Sequence, residues 1–195
     1  MRPIESGKEY QMINFQSIDL HQKNIEECDF IECLFDSCDL SESSFKTSIF
    51  ENCKFKKTRL AASKFIDTRI SDCRFIGCKL TGVDWSSLSQ AIGLEFDFNS
   101  CDLSYSTFFK MDLSSSRFID CRIYEADFTG CIMKKVIFKG SDLMRTNFNN
   151  TDLRGADFRE AVNYLFDPGK NKCRNARFDH IEALNLLKSF GIIVE

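Results

Sequence analysis

Residues 28–60 read CDFIECLFDSCDLSESSFKTSIFENCKFKKTRL, with a large apolar side chain at every fifth position from Phe30 onward. The period extends in both directions and holds at fifteen successive positions without a polar exception: Phe15, Leu20, Ile25, Phe30, Phe35, Leu40, Phe45, Phe50, Phe55, Leu60, Phe65, Ile70, Phe75, Leu80 and Trp85. After a break it resumes in a new phase at Phe98, Leu103, Phe108, Leu113, Phe118, Ile123, Phe128, Met133, Phe138, Leu143, Phe148, Leu153 and Phe158. The chain is therefore dominated by a five-residue internal repeat.

The position two residues before each of these apolar centres is also restricted, and it is mostly Cys, Ser, Thr, Ala or Val. Nine of the 10 Cys occupy it: Cys28, Cys33, Cys38, Cys53, Cys73, Cys78, Cys101, Cys121 and Cys131. A period of five fits neither an α-helix nor a flat strand. It fits a short extended segment followed by a corner, in which the large and small residues both point inward and the residue between them points out. Stacking such segments predicts a parallel β-solenoid.

Several repeats resemble the A(D/N)LXX motif of the pentapeptide-repeat family, among them Cys38-Asp39-Leu40-Ser41-Glu42, Cys101-Asp102-Leu103-Ser104-Tyr105, Ala126-Asp127-Phe128-Thr129-Gly130 and Ala156-Asp157-Phe158-Arg159-Glu160. The resemblance covers about three-quarters of the chain. It implies an all-β fold, a right-handed quadrilateral parallel β-helix with four repeats per coil. About seven coils at ~4.8 Å would make a rod of ~34 Å.

With four repeats per coil, residues twenty apart lie above one another, so Cys33, Cys53 and Cys73 form one column. If the break keeps the order of the sides, Cys78, Cys101 and Cys121 form a second column. Stacked at ~4.8 Å, their Cβ atoms lie beyond the ~3.5–4.5 Å that a disulfide prefers. A straight file of thiols also cannot surround a metal ion tetrahedrally. We therefore expect the cysteines to fill the core as small apolar residues, with no metal site and no cofactor.

The composition excludes several classes of protein. The 195 residues carry a formal net charge of −3, which gives no global signature of direct nucleic-acid binding. Residues 1–11 lack the apolar core of a signal peptide, and no stretch approaches the eighteen apolar residues of a membrane span. A cytoplasmic location without membrane association is expected, and cysteines are normally reduced there.

The repeat pattern divides the chain into an N-terminal cap at 1–14, a β-helix at 15–162 and a C-terminal segment at 163–195. The β-helix is interrupted at 86–97, where thirteen positions separate Trp85 from Phe98 and ten or fifteen would keep register. This break is either a local bulge or a loop that contacts a partner. In the second case the candidate contacts are Leu88, Ile92 and Leu94.

The C-terminal segment contains the signals of one helix. Asp179 is a favourable N-cap, the helix covers about 181–190, and Gly191 is a natural stop. A short strand follows at 192–194. The segment resembles the helix and strand through which Qnr-type and microcin-immunity members of the family dimerise, which implies a homodimer. Its candidate interface residues are Ile181, Leu184, Leu187, Phe190, Ile192 and Val194.

The sequence contains no constellation of catalytic residues. Neither His21 nor His180 neighbours a nucleophile or a metal-ligand spacing, so the protein is not expected to be an enzyme. The Qnr-type resemblance implies binding of a type II topoisomerase such as DNA gyrase by DNA mimicry, with a quinolone-resistance role. The alternative is an interaction scaffold or regulator with another partner.

Charge is distributed in bands along the chain, with net values of −7 for residues 1–53, +6 for 54–79, −5 for 80–133 and +3 for 134–195. A rod of ~34 Å would need roughly twenty negative charges to match duplex DNA, so mimicry requires a local acidic surface. The candidates are Asp19, Asp29, Glu32, Asp36, Asp39 and Glu42 near one end and Asp97, Asp102, Asp112 and Asp127 near the middle. The basic band at 54–79 either binds nucleic acid or, as we favour, pairs with the acidic coils on both sides.

Overall fold

The computed structural model describes residues 3–89 and 95–193, and the repeats form one parallel β-helix whose coils have four sides. Thirteen three-residue strands build it: β1 (Glu9–Gln11), β2 (Asn14–Gln16), β3 (Asn24–Glu26), β4 (Asp29–Ile31), β5 (Leu34–Asp36), β6 (Ser44–Lys46), β7 (Ile49–Glu51), β8 (Lys54–Lys56), β9 (Lys64–Ile66), β10 (Arg69–Ser71), β11 (Arg74–Ile76), β12 (Asp97–Asn99) and β13 (Arg117–Ile119).

Each side of the helix is one column of parallel pairs. Side 1 is the sheet β2-β5-β8-β11-β12-β13, side 3 is β3-β6-β9, and side 4 is β1-β4-β7-β10. Side 2 is held by single-residue bridges that begin at Asp19↔Asp39 and Asp39↔Arg59. The offset of twenty residues between paired positions gives four repeats per coil, as the family resemblance implies.

The five-residue pattern produces this geometry because large and small residues alternate on the inside. Phe35 pairs in register with Phe15 and Phe55, and all three are buried. Rings of one side stack along the rod, for example Phe30 on Phe50 with centroids 4.7 Å apart and planes within 12°. Rings of adjacent sides meet edge to face, as Phe45 meets Phe50 at 5.2 Å. Both arrangements are favourable for aromatic pairs.

Each side ends at a residue with left-handed backbone conformation, two positions after the centre. Glu27 is typical, with φ 55°. This conformation costs a residue other than glycine about 1–2 kcal/mol. The cost is offset by hydrogen bonds between coils, such as that from Glu27 N–H to the Lys46 carbonyl at 2.9 Å. The chain therefore turns a corner after every fifth residue.

Regular strands cover fewer turns than the seven coils predicted. The six strands of side 1, from β2 to β13, define about five turns. Beyond β13 the coils continue through isolated bridges, such as Arg117↔Ile137, Ile137↔Asp157 and Asp157↔Arg177. The backbone in these C-terminal coils still donates to the neighbouring coil but no longer forms three-residue strands.

The break adds three residues to one coil. On side 1 Phe75 pairs with Phe98, and on side 3 Asp84 pairs with Thr107, both at an offset of twenty-three. The extra residues therefore lie on side 4, whose sheet ends at β10. The order of the sides is therefore kept. Cys78, Cys101 and Cys121 all lie at the corner between side 1 and side 2, which confirms the predicted column.

The array also extends further at both ends than the sequence predicts. Tyr10 is a side 4 centre that stacks on Phe30 at 5.2 Å, and its hydroxyl accepts a hydrogen bond from Glu5 N–H at 2.8 Å. At the other end Lys172 pairs with Asp152, and Phe178 stacks on Phe158 at 5.1 Å. The irregular residues 163–170 separate this last partial coil from the rest and hide it in the sequence pattern.

The C-terminal helical segment has the predicted extent, but most of it is 3₁₀ rather than α-helix. The α-helix covers only His180–Ala183 and continues as a 3₁₀ helix over Leu184–Phe190, which ends at Gly191 with φ 71°. Ile192 and Ile193 form no strand, and Val194 lies outside the described residues. Within the described ranges, no helix has both the length and the apolar character needed to cross a membrane.

Candidate partner-binding surface

The small inward residues are hydrogen-bond donors rather than simple fillers. The Cys33, Cys53 and Cys73 thiols each donate to the carbonyl of a centre one coil away: Tyr10 at 3.1 Å, Phe30 at 3.2 Å and Phe50 at 3.5 Å. Hydroxyls at this position do the same, as Thr58 does to the Phe35 carbonyl at 2.9 Å and Ser63 to the Leu40 carbonyl at 2.7 Å. This explains why Cys, Ser and Thr share the position, a role that the sequence pattern alone does not reveal.

The thiols have the properties of core groups. All ten cysteines lie in the described residues and are unpaired by disulfides. Burial raises the pKa of Cys131 to about 12, and a hydrogen bond to Cys101 together with burial raises the pKa of Cys78 and Cys121. Across residues 3–89 and 95–193, no group of three or more His, Cys, Asp or Glu side chains could hold a metal ion.

The ten acidic candidates do not share one side. Asp36 and Asp97 lie on side 1; Asp19, Asp39 and Asp102 lie on side 2; Asp127 lies on side 3; Asp29 and Asp112 lie on side 4; and Glu32 and Glu42 lie at corners. A single acidic patch therefore cannot contain all of them.

Three of these carboxylates form ion pairs with bases on an adjacent coil. Asp39 pairs with Arg59 on side 2, and this contact lowers the pKa of Asp39 to about 2. On side 1, Lys56 Nζ lies 3.5 Å from Asp36 Oδ2, and Arg74 Nε lies 3.8 Å from Asp97 Oδ2.

These contacts support the pairing interpretation of the basic band at 54–79. Its six regularly spaced bases encircle the rod: Lys54 and Arg74 on side 1, Arg59 and Lys79 on side 2, Lys64 on side 3 and Arg69 on side 4. Three members of the band, Lys56, Arg59 and Arg74, are the ones that pair with acids.

Another four carboxylates bind the backbone just after their own position. The Oδ1 atoms of Asp102 and Asp112 each accept from an amide two residues later at 3.0 Å, and that of Asp127 accepts from Thr129 N–H at 2.9 Å. Asp19 Oδ1 accepts from His21 N–H at 2.9 Å. These contacts form local Asx-type turns. Stabilisation of the backbone is therefore enough to explain why these four positions are Asp, without a partner.

Three candidates remain. Glu42 Oε2, at a corner between sides 2 and 3, accepts a hydrogen bond from Gln22 Nε2 at 2.9 Å. Asp29 and Glu32 belong to a distinct acidic surface. It covers β1, β4, β7 and β10 of side 4 together with the corners on either side. We call it the acidic face and define it by seven carboxylates: Glu9, Glu27, Asp29, Glu32, Glu51, Asp67 and Asp72. In the described part of the chain none of the seven forms an ion pair. Only Asp29 and Glu32 of the seven were predicted from the sequence. The other five can be found by grouping residues that lie twenty positions apart, because such residues share one side of the rod.

The charge density of the acidic face is more than half that of duplex DNA. Seven carboxylates and two bases, Lys8 and Arg69, give 2 − 7 = −5. Four levels span three intervals of ~4.8 Å, or ~14 Å. Duplex DNA with one charge per ~1.7 Å carries about eight charges over that length. The shortage of negative charge, which is nearly complete for the whole rod, is therefore much smaller on this one surface.

The break lies directly beyond the acidic face. Ser87 and Ser89 continue side 4, because Asp67 N–H donates to the Ser87 carbonyl at 3.1 Å and Ser89 N–H to the Thr68 carbonyl at 3.0 Å. Leu88 is 5 % exposed and packs in the core, so it offers little surface to a partner. The other two candidates at the break, Ile92 and Leu94, lie outside the described residues.

The C-terminal candidates are mostly exposed. Ile181 is 77 % exposed, Phe190 55 % and Leu184 39 %, whereas their neighbour Leu186 is buried against the end of the rod. Leu187 is half-buried and Ile192 is exposed. One row of this helical segment thus covers the last coil and another remains apolar and open to solvent.

The stacked coils, the four sides and the inward pairs of large and small residues define a pentapeptide-repeat protein. The model for the "Pentapeptide repeat region" matches residues 25–91 and 95–162, and the chain belongs to this family.

Among solved structures, the chain is similar to QnrB1, a plasmid-mediated fluoroquinolone resistance protein. A trypsin-treated variant of QnrB1 aligns with a TM-score of 0.64 at 17 % identity, covering 98 % of this chain and 99 % of that one. Full-length QnrB1 aligns with a TM-score of 0.52 at 16 % identity, covering 94 % and 100 %. At these identities the likeness concerns the fold. No curated protein matches the sequence.

Proposed function

We infer that this chain is a non-enzymatic cytoplasmic protein that binds a type II topoisomerase such as DNA gyrase through local DNA mimicry, and so modulates the enzyme or protects it from quinolones. The observation that carries the proposal is the acidic face, on which seven carboxylates without ion-pair partners give a net charge of −5 where a duplex of the same length carries about eight negative charges. A DNA-binding groove recognises that density largely without regard to sequence.

The shape of the molecule supports the same proposal. A rigid rod with one acidic side can lie in a groove that accepts duplex DNA, and the nearly complete mutual coverage with QnrB1 shows that the two rods have comparable extent. The resistance role stated for QnrB1 motivates gyrase as the first partner to test. Asp29 and Glu32 remain the primary contacts from the sequence-based set, joined by the five further carboxylates of the face.

We also propose a homodimer through the C-terminal apolar row. Ile181, Leu184 and Phe190 form a row of exposed apolar side chains, which is unfavourable in a monomer in water. A second copy of the same row would bury them. Leu184→Asp should release monomers in light scattering without changing the melting temperature. Leu186→Asp, which places a charge in the buried row, should instead lower it. An unchanged dimer in Leu184→Asp would contradict this interface.

The direct test measures DNA supercoiling by purified gyrase, with and without a fluoroquinolone, in the presence of this protein. Wild type should slow supercoiling or relieve the drug's inhibition at micromolar protein. The variant Glu27→Gln/Glu32→Gln/Glu51→Gln removes three charges from the acidic face and should lose most of that effect.

A matched triple provides the control. Glu42→Gln, Glu125→Gln and Glu160→Gln also remove three carboxylates, all at corners away from side 4, and should leave the effect intact. Absence of any effect of wild type on gyrase would overturn the proposed partner. Equal effects of the two triples would overturn the acidic face as the contact. A pull-down from cell extract dominated by another protein would favour the alternative of a scaffold or regulator.

A further inference from the structure

Three bases follow one another on side 4 near the C-terminal end of the rod. Lys134, Arg154 and Arg174 occupy the same outward position in successive coils, because the Lys135 N–H donates to the Arg154 carbonyl and the Gly155 N–H to the Arg174 carbonyl, both at 3.0 Å. The column therefore places three positive charges at intervals of ~4.8 Å. Elsewhere in the described part of side 4, the equivalent position holds Gln11, Ile31, Glu51, Ser71 and Ser114.

Two further bases adjoin this column. Lys135 lies at the next corner, with φ 58°, and Lys172 lies two positions before Arg174. We call the last three coils of side 4, together with their corner towards side 1, the basic face. Its outward positions hold five exposed bases and one acid: Lys134, Lys135, Arg154, Lys172, Arg174 and Asp152. The net charge of the basic face is 5 − 1 = +4.

Most of this charge is not neutralised within the chain. Among the described residues, Arg154 is the only one of the five bases that forms an ion pair, with Asp152 at 2.5 Å. On the adjoining side 1, Asp157 is bound by Arg159, also at 2.5 Å. The four bases without an ion pair therefore account for the whole net charge of the face.

Packing within the rod does not explain why these positions are charged. The Lys135 stem runs past Gly155, where a Cβ would lie 3.5 Å from the lysine Cγ, but an uncharged side chain of the same length would fill that space equally well. Like charges at adjacent positions of neighbouring strands are destabilising. A polyanion bound across the three coils would relieve this repulsion.

The density of the charge favours a nucleic-acid backbone over an acidic protein segment. The four unpaired bases fall within two coil steps, or ~10 Å. Duplex DNA carries about six negative charges over that length. An extended peptide rises ~3.3 Å per residue and presents alternate side chains to one face, so even a run of acidic residues offers about two.

The acidic face lies too far along the rod to prevent such binding. Side 1 takes three steps between Phe75, which follows Asp72 of the acidic face, and Phe138, which follows Lys135. Three steps are ~14 Å, whereas the Debye length at physiological ionic strength is ~8 Å. A duplex that crosses the rod at the basic face is therefore largely screened from the acidic face. The net charge of the whole chain, −3, does not reveal the site because the two faces offset each other.

We propose that the basic face binds the phosphate backbone of duplex DNA, which lies across the last three coils. Lys134, Lys135, Lys172 and Arg174 contact phosphates, and Arg154 is held by Asp152 between them. Phosphate contacts carry no sequence information, so the binding is non-specific and sensitive to salt. It does not depend on the proposed topoisomerase, whose contact lies on the acidic face.

Fluorescence anisotropy with a labelled duplex of about 20 base pairs and arbitrary sequence tests the proposal. The logarithm of the binding constant falls with the logarithm of salt concentration by about 0.9 per phosphate contact, so four contacts predict a slope of about −3.6. Lys134→Gln/Lys172→Gln removes two contacts. The slope should become about −1.8, and binding at about 50 mM salt should weaken about tenfold or more. The matched control Lys54→Gln/Lys64→Gln removes two exposed lysines of the band at 54–79, on sides 1 and 3, and should change neither quantity.

Acetylation of lysines followed by mass spectrometry gives a second readout on the wild-type protein. The duplex should protect Lys134, Lys135 and Lys172 but not Lys54 or Lys64. A wild-type protein that does not bind the duplex at about 50 mM salt would overturn the proposal. Equal losses in the two double variants would also overturn it. So would a poly-glutamate peptide that displaces the duplex at an equal concentration of charge, because that result would assign the face to an acidic protein.

Discussion

The register of the core is tested most directly by removing one ring from its centre. Phe118 is fully buried and stacks between Phe98 and Phe138, with centroids at 5.4 and 5.2 Å. It also meets Phe108 and Phe128 edge to face at 6.0 and 5.7 Å. Phe118→Ala therefore leaves a cavity bounded by rings on three levels, and these rings are held apart by β12 on one side and by the bridged coil at Ile137 on the other.

The expected loss is large for a single substitution. Truncation of a buried Phe to Ala costs about 3–5 kcal/mol of unfolding free energy. For a domain of this size, about 2–4 °C per kcal/mol gives a fall in melting temperature of roughly 6–20 °C. The control is Phe109→Ala, because Phe109 is an outward residue of the same type, 43 % exposed, and its truncation should cost about 0.5 kcal/mol or less.

Thermal and urea melts followed by far-ultraviolet circular dichroism provide the measurement. In a solenoid each coil depends on its neighbours, so Phe118→Ala can also split the transition into two steps. A variant that melts like Phe109→Ala would mean that residue 118 is not inside the rod, and the five-residue register derived above would have to be abandoned.

Three further predictions concern the corners, the ion pairs and the thiols. Glu27→Gly should stabilise the protein by up to about 1 kcal/mol, because φ is positive there, whereas Glu26→Gly in the adjacent strand should destabilise it by a similar amount; urea melts distinguish the two. The contact with Arg59 lowers the pKa of Asp39 to about 2, so its stabilisation is complete above about pH 4 and is lost as the pH falls towards 2; the difference in melting temperature between wild type and Asp39→Asn should shrink over that interval. Labelling with a thiol reagent under native conditions should modify the half-buried Cys173 first and the other nine cysteines only upon unfolding, and rapid labelling of all ten would contradict the buried columns.

The sequence predicted the core well because each inward position repeats one physical requirement. Phe35 and Phe55 occupy equivalent places in successive coils, so one rule applied repeatedly identifies the centres and the offset of twenty. The rule fails where the repeat is interrupted. Phe178 lies twenty positions after Phe158 and belongs to the stack, but the intervening positions of the period are Asn163, Pro168 and Cys173, so the apolar pattern is lost before it. At the C-terminus the helical segment begins and ends where Asp179 and Gly191 predict, but these signals do not distinguish the observed 3₁₀ helix at Leu184–Phe190 from an α-helix.

The surface was predicted less well for a different reason. Charge counted along the chain averages over four sides, so the bands combine Asp36, which is ion-paired, with Asp29, which is not. Sorting by side requires the coil period and the three-residue insertion at the break. Arg74 and Asp97 are partners only at an offset of twenty-three.

The near-equivalence of the four sides determines how the sequence of such a rod can gain or lose repeats in evolution. Because every repeat presents a similar large and small pair to the interior, the gain or loss of one repeat leaves the core almost as well filled as before. It nevertheless rotates everything downstream by a quarter turn about the rod axis. Loss of five residues near the break would move Lys134 and its neighbours off side 4, while loss of twenty would only bring them one level closer. Insertions and deletions of whole repeats thus change the angle between distant surfaces about the rod axis in steps of a quarter turn. No substitution at the surfaces themselves is needed.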